Sequence, residues 1–382
     1  MAIYWVLLTV ITLNTFLSYW IKNKGLMRLT TFSSFLLIFI FAAVRKGIGV
    51  DYINYYYYYR EFCSIGHFHK SFELGYTLIN KLCCDTGWGF TGLIIITSFL
   101  SYFPVFLVSL KSEKPLIQYA FFLLYYPMSY ALIRQCIGSA FAVLFTYEYL
   151  SQYFPQSRFR LRWLLEKKRV SKYFGMNMKC LLYAACACLF HNSLIVYFMV
   201  LVVSSVIYID TIKAIPMILA TLVICLKATP ILNIFINMFS DGEYERYFTG
   251  GGGAAVMQTR QSNSGLGILL RYFVYVVSFI LISNLLAKRS KQEKTAFHLM
   301  FTAMVGCDAI SLQSQIFLRF KFLFFIVYIL PLFFMEQKGK KRDLDFIIQL
   351  GGFSFLLLYE FAFRFRNELY AWRDLPYTSL FS

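Results

Sequence analysis

Runs of roughly 18 or more apolar residues, the length of a helix that crosses a bilayer core, recur along the chain and are separated by short polar stretches. The pattern predicts spans near 3–21, 27–44, 90–110, 115–132, 135–153, 214–238, 266–287, 295–313, 316–336 and 344–362. One further run, 180–208, is ambiguous. No polar stretch is long enough to bury a core of its own, so residues 1–382 read as a single transmembrane domain. The expected fold class is all-α, a polytopic membrane protein with about 10–12 membrane helices.

Lysine and arginine clusters assign sides. Lys22, Lys24 and Arg28; Lys111 and Lys114; Arg158 to Lys179; Lys288, Arg289, Lys291 and Lys294; and Lys338 to Arg342 all read as cytoplasmic. A basic cytoplasmic loop is then expected near 155–179, and periplasmic loops near 45–89 and 239–265. An odd number of crossings must separate 155–179 from 239–265, and one crossing each for 180–208 and 214–238 breaks that parity. A broken re-entrant pair over 180–208 restores it: two short half-helices hinged at His191-Asn192-Ser193, whose side chains satisfy freed backbone groups. The alternative is one tilted span with another boundary misplaced. The N-terminus lacks a basic n-region and a small-residue cleavage site, so it reads as a retained first span.

Composition agrees with this picture. Hydrophobic residues make up 59% of the chain and charged residues 15%, with a mean hydropathy of +0.60, too little charge to cover a soluble surface. The net charge of +18 lies in clusters between apolar runs rather than on one polar face, which argues against a nucleic-acid partner. The nine cysteines have no zinc-like spacing and read as inert packing residues. HExxH, GxSxG, Walker and Rossmann patterns are missing, so no metal or cofactor is expected.

The candidate chemistry lies on the outer half. The segment AAVRKGIGVDYINYYYYYREF offers Arg45 as a planar donor fork for a diphosphate. Gly47 and Gly49 permit close backbone approach, Asp51 could accept a hydroxyl proton, and the tyrosines could stack on sugars. An interfacial aromatic belt with snorkelling Arg45 is the bland alternative. Arg134 opens an apolar helix, where an unpaired charge costs a few kcal/mol. His191 is read as the only one of four histidines embedded in an apolar run, and could act as base or as hydrogen-bond donor to a phosphate oxygen. Arg271 lies about a turn inside its span, and Arg319, with Lys321 nearby, falls at comparable depth. Arg246, Arg260 and the Gly250–Gly253 run belong to the second outer loop, expected to be a flexible lid.

In chain order, VRKGIGVDYINYYYYY (Arg45, Gly49, Asp51, Tyr55), FELGYTLINKL (Glu73, Tyr76), ALIRQCIGSAF (Arg134, Gln135), LFHNSLIV (His191, Ser193) and LRFKFLF (Arg319) resemble the EpsG-like branch of the Wzy polysaccharide polymerases. That resemblance implies a GT-C-like helical fold in the bacterial inner membrane with its active site facing the periplasm. It implies transfer of a glycan from an undecaprenyl-diphosphate carrier to the next lipid-linked repeat, as in O-antigen synthesis. The expected partners are the undecaprenyl-diphosphate-linked oligosaccharide, membrane lipid and a chain-length regulator protein. Asp51 would be the base, with His191 as the runner-up, and Arg45, Arg134, Arg271, Arg319, Glu73 and Tyr55 would bind substrate. A lipid-linked oligosaccharide flippase and an O-antigen ligase are the rival readings.

Overall fold

The structure, a computed structural model, describes residues 2–21, 23–49, 51–65, 72–153, 170–226, 265–287, 289–311, 316–334, 351–352, 354–359 and 361–362. All regular structure among them is helical. Four helices are long and apolar enough to cross a membrane alone: Lys24–Ala43, Gly89–Ser112, Ile268–Leu285 and Phe317–Phe334. Five shorter apolar helices accompany them. The chain is a polytopic, all-helical membrane protein. The expected second outer loop, with Arg246, Arg260 and the glycine run, lies outside the described residues, as do residues 344–350, 353 and 360 of the last expected span.

The molecule divides into two units, the first comprising residues 1–195, 328–347 and 354–382, the second 196–327 and 348–353. In the first unit, α1 (Ala2–Trp20) and α2 (Lys24–Ala43) form a hairpin. The Asn23 side chain caps α2 by accepting from the Gly25 and Leu26 amides at 2.8 and 3.2 Å. Lipid gives apolar faces no reason to choose each other, so polar side chains select the pairing. Asn14 donates to Ser33 and Ser34, each at 2.7 Å, and Thr12 meets the Tyr119 hydroxyl of α6 (Pro115–Tyr125) at 3.0 Å.

Helix α3 (Tyr52–Ile65) and α4 (Leu74–Asp85) fill the first expected outer loop, which is therefore largely helical. The Tyr55 ring packs at a tilt against the Tyr76 ring, centroids 5.5 Å apart, and Cys63 is disulfide-bonded to Cys84 with Cα atoms 5.6 Å apart. The two pairs follow the same order on both helices, so α3 and α4 run side by side in the same direction. This corrects the reading of all nine cysteines as inert packing residues: a pair in separate helices has no short-range spacing signal. Spacing does explain the tyrosine run. Tyr55 and Tyr59, one turn apart, are buried, whereas Tyr56 and Tyr57 are exposed. The buried pair packs with Tyr76, Ile79 and Cys83 of α4 onto Phe90, Leu93, Ile133, Ile137 and Phe190.

Helices α5 (Gly89–Ser112), α7 (Ile133–Tyr153) and α8 (Val170–Phe190) complete this unit's core. The two ends of the unit differ in chemistry. Lys24 pairs with Glu113 at 2.6 Å and Lys111 with Glu148, bringing the first two basic clusters to one end. Arg45, Glu73, Arg134 and His191 belong to the opposite helix ends. The expected break falls at His191–Ser193, before α9 (Leu194–Val206). However, α8 has 21 residues, about 30 Å of helix, not a half-helix. It begins inside the expected 155–179 loop, where polar residues hid its continuation.

In the second unit, α10 (Thr211–Leu226), α11 (Gly265–Leu285), α12 (Lys291–Ser311) and α13 (Ile316–Leu323) pack around α12. Here His298 is 1% exposed and lies 3.0 Å from the Ile209 carbonyl. His191 is thus not the only histidine within an apolar run; the polar start of α12, KQEKTAF, disguised the second.

Candidate active site

Pro127 and the short 3-10 turn Met128–Tyr130 end the α6 rise, and Leu132 donates back to the Met128 carbonyl at 2.7 Å. Helix α7 therefore starts with Arg134 in its first turn. Glu73 is the N-cap residue of α4, and His191 closes α8, its amide donating to the Ala187 carbonyl at 3.0 Å. Gly75 allows α4 and α8 to meet: a Cβ there would lie 2.7 Å from the Leu189 carbonyl oxygen.

These ends converge on one constellation. The Arg134 guanidinium donates to Glu73 Oε2, while His191 Nδ1 lies 3.3 Å from Glu73 Oε1. Arg134 also sits 4.7 Å above the Phe72 ring and interacts with the Tyr55 hydroxyl. Burial alone would raise the Glu73 carboxyl, but the His191 hydrogen bond and the Arg134 charge outweigh it and hold it below the usual carboxylate range. An ionised carboxylate only accepts, so Nδ1 carries the imidazole proton and the Nε2 lone pair is left for chemistry. Side-chain exposures of 21% for Arg134, 12% for Glu73 and 18% for His191 leave the group reachable.

Arg45 is placed differently. It is 2% exposed, lies 4.4 Å over the Tyr130 ring and donates to the Ser129 carbonyl at 3.2 Å. Its Nε has no hydrogen-bond partner among the described residues, and the ion pairs found there do not include it. Gly49, at φ 111°, passes so close to the Tyr130 carbonyl that any Cβ would collide with it. The glycine serves approach to the protein's own backbone. Tyr76 is fully buried and feels both Arg45 and Arg134.

Asp51 is half-buried at the start of α3. Its carbonyl accepts from the Tyr55 amide at 2.8 Å, and its carboxylate meets Asn54 only at 3.4 Å, a weak contact. In the second unit, Arg271 meets Asp308 Oδ1 at 3.2 Å and Lys321 meets the same oxygen at 2.7 Å. Arg319 is exposed. Asp308 was missed by sequence reasoning although an aspartate inside an apolar span, GCDAIS, is itself a functional signal. Among the described residues, no group of three or more His, Cys, Asp or Glu is placed to hold a metal ion.

No curated protein and no solved structure matches the chain. The EpsG family profile matches residues 28–379, nearly the whole length and all of the residues above. The chain belongs to the EpsG family, whose role is polysaccharide polymerase-like.

Proposed function

We infer that the protein is a glycosyltransferase that joins undecaprenyl-diphosphate-linked oligosaccharide repeats, as in O-antigen synthesis, at the periplasmic face of the bacterial inner membrane. The observation that carries this reading is Arg45, a buried cation without an acidic partner among the described residues, at the same helix ends as Arg134, Glu73 and His191. Burying an unpaired charge costs several kcal/mol, so such a site is built for an anion. A lipid diphosphate supplies one.

In this mechanism Arg45 and Arg134 hold the donor diphosphate. His191 Nε2 takes the proton of the acceptor hydroxyl. That oxygen forms the new bond to the donor's anomeric carbon, and the bond to the diphosphate breaks with its electron pair on the leaving oxygen. The arginines stabilise the charge that develops there. Glu73 fixes the imidazole tautomer and steadies the imidazolium formed. His191 is preferred to Asp51 as base because a carboxylate orients it; Asp51 instead begins α3. The disulfide between α3 and α4 supports an oxidising, outer location for this segment.

The test is deletion of the gene, complementation with variants and electrophoresis of the surface glycan. His191→Ala is expected to slow chain extension by about 10²–10⁴-fold and leave single repeats on the lipid anchor, while Asp51→Asn still polymerises. Normal ladders from His191→Ala with none from Asp51→Asn would move the base to Asp51. Loss of all anchored repeats on deletion would indicate a ligase, and a block in export a flippase.

A further inference from the structure

The second unit carries a cluster that the mechanism above does not use. Arg271 lies in the second turn of α11, Asp308 in the last turn of α12 and Lys321 in the last turn of α13. The basic residues Arg289, Lys291 and Lys294 mark the opposite ends of α11 and α12. The cluster therefore belongs to the end at which the second outer loop enters α11, in the outer half of the expected topology.

Its hydrogen bonding is incomplete in an informative way. Asp308 is 0% exposed, yet Arg271 and Lys321 both address Oδ1, at 3.2 and 2.7 Å. Oδ2 has no donor among the described residues, and neither does the buried Tyr272 hydroxyl have a partner there. A buried carboxylate oxygen without a donor costs more than a hydrogen bond contributes, so it marks the place of a missing hydroxyl or water. Lys321 also sits 5.5 and 5.4 Å from the Tyr275 and Phe325 rings. The cluster thus offers two cations for a phosphate and a carboxylate oxygen for a hydroxyl.

We propose that Arg271, Tyr272, Asp308 and Lys321 form a second substrate site that binds a glycosyl phosphate, the sugar-phosphate junction of a lipid-linked glycan. This rests on the polymerase reading, in which a second lipid-linked chain must meet the first. The cations take the phosphate, and Asp308 Oδ2 and Tyr272 take hydroxyls of the attached sugar. The sugar is what separates this site from a simple phosphate site.

Equilibrium binding to the full chain in nanodiscs tests it, with undecaprenyl diphosphate bearing one N-acetylhexosamine as probe. Sugar-free undecaprenyl diphosphate and inorganic diphosphate are the comparison ligands. Two equivalents of the glycosylated probe are expected. Tyr272→Phe, which deletes one oxygen, should weaken one of the two by about threefold to tenfold, and Lys321→Met should abolish it. Arg134→Ala should remove the other equivalent and spare this one. Two equivalents unchanged in both Tyr272→Phe and Lys321→Met would overturn the proposal, as would equal affinity for inorganic diphosphate or the sugar-free lipid. A single equivalent, lost in Arg134→Ala, would overturn the second site and leave the polymerase reading standing. No binding at all would remove both. Should Lys321→Met fail to fold, Tyr272→Phe with an unchanged melting temperature decides alone.

Discussion

At the scale of the residue, Glu73 and Arg45 carry opposite lessons about buried charge. Glu73 is ionised because His191 and Arg134 hold it so, below its ordinary value of about 4.5. A carboxyl with a depressed folded-state value contributes stability that is fully present above the unfolded value and lost as pH falls through the folded one. The thermal stability of the purified protein should therefore draw a constant contribution from Glu73 at pH 6–8 and fall away below about pH 4.5, more gently in Glu73→Gln. Glu73→Gln should also lower chain extension at least about tenfold, since an amide can donate to Nδ1 and select the wrong tautomer. Arg45 has no such partner among the described residues. Replacing an unpaired buried charge with an apolar side chain of similar length is often neutral or stabilising. Arg45→Met should thus keep or raise the melting temperature and lose polymer. A lowered melting temperature together with normal glycan ladders would remove the diphosphate role.

At the scale of the element, the site depends on helix ends held at short range. α4 meets α8 through Gly75, whose missing side chain lets the Leu189 carbonyl approach, two residues before His191. Gly75→Ala should push the elements apart and lengthen the Glu73–His191 contact. The expected result is at least a tenfold loss of chain extension for a stability change of about 1–3 kcal/mol, measured by glycan ladders and thermal unfolding. Wild-type ladders would mean that the α4–α8 spacing is irrelevant to the reaction. α3 and α4 are tied at the other end by Cys63–Cys84, about 12 Å along the helix from Tyr76. The staple leaves the Tyr55, Glu73 and Tyr76 end facing Arg134.

At the scale of the whole molecule, sidedness joins these observations. Lys24, Lys111, Glu113 and Glu148 meet at one end of the first unit, whereas the disulfide belongs to the segment between α2 and α5, which joins them at the other. In intact cells, Cys63 and Cys84 should resist an impermeant maleimide until a reductant is added and then react. A single cysteine at position 165 should stay unlabelled from outside before and after reduction. Labelling at 165 from outside would invert the topology and place the site in the cytoplasm, where lipid-linked repeats could not be joined in the proposed way.

The class of the protein was legible from the amino-acid order alone. Within hydrocarbon only a helix satisfies its own backbone, so long apolar runs could mean little else, and the break at His191–Ser193 was marked by residues that can bond freed amides. Arg45, Arg134 and His191 stood out because charge and imidazole are conspicuous in apolar surroundings. Their partners did not. Glu73 is 61 residues from Arg134 and 118 from His191, and nothing local encodes a pairing across that separation. A helix that is apolar all round presents no preferred face, which is why Arg319 drew attention while Lys321 is the one buried against Asp308. Which cysteines pair and which tyrosines are buried likewise waited on how α3 lies against α4. Composition decided that the chain enters the membrane; only tertiary packing decided which of its few polar side chains meet there.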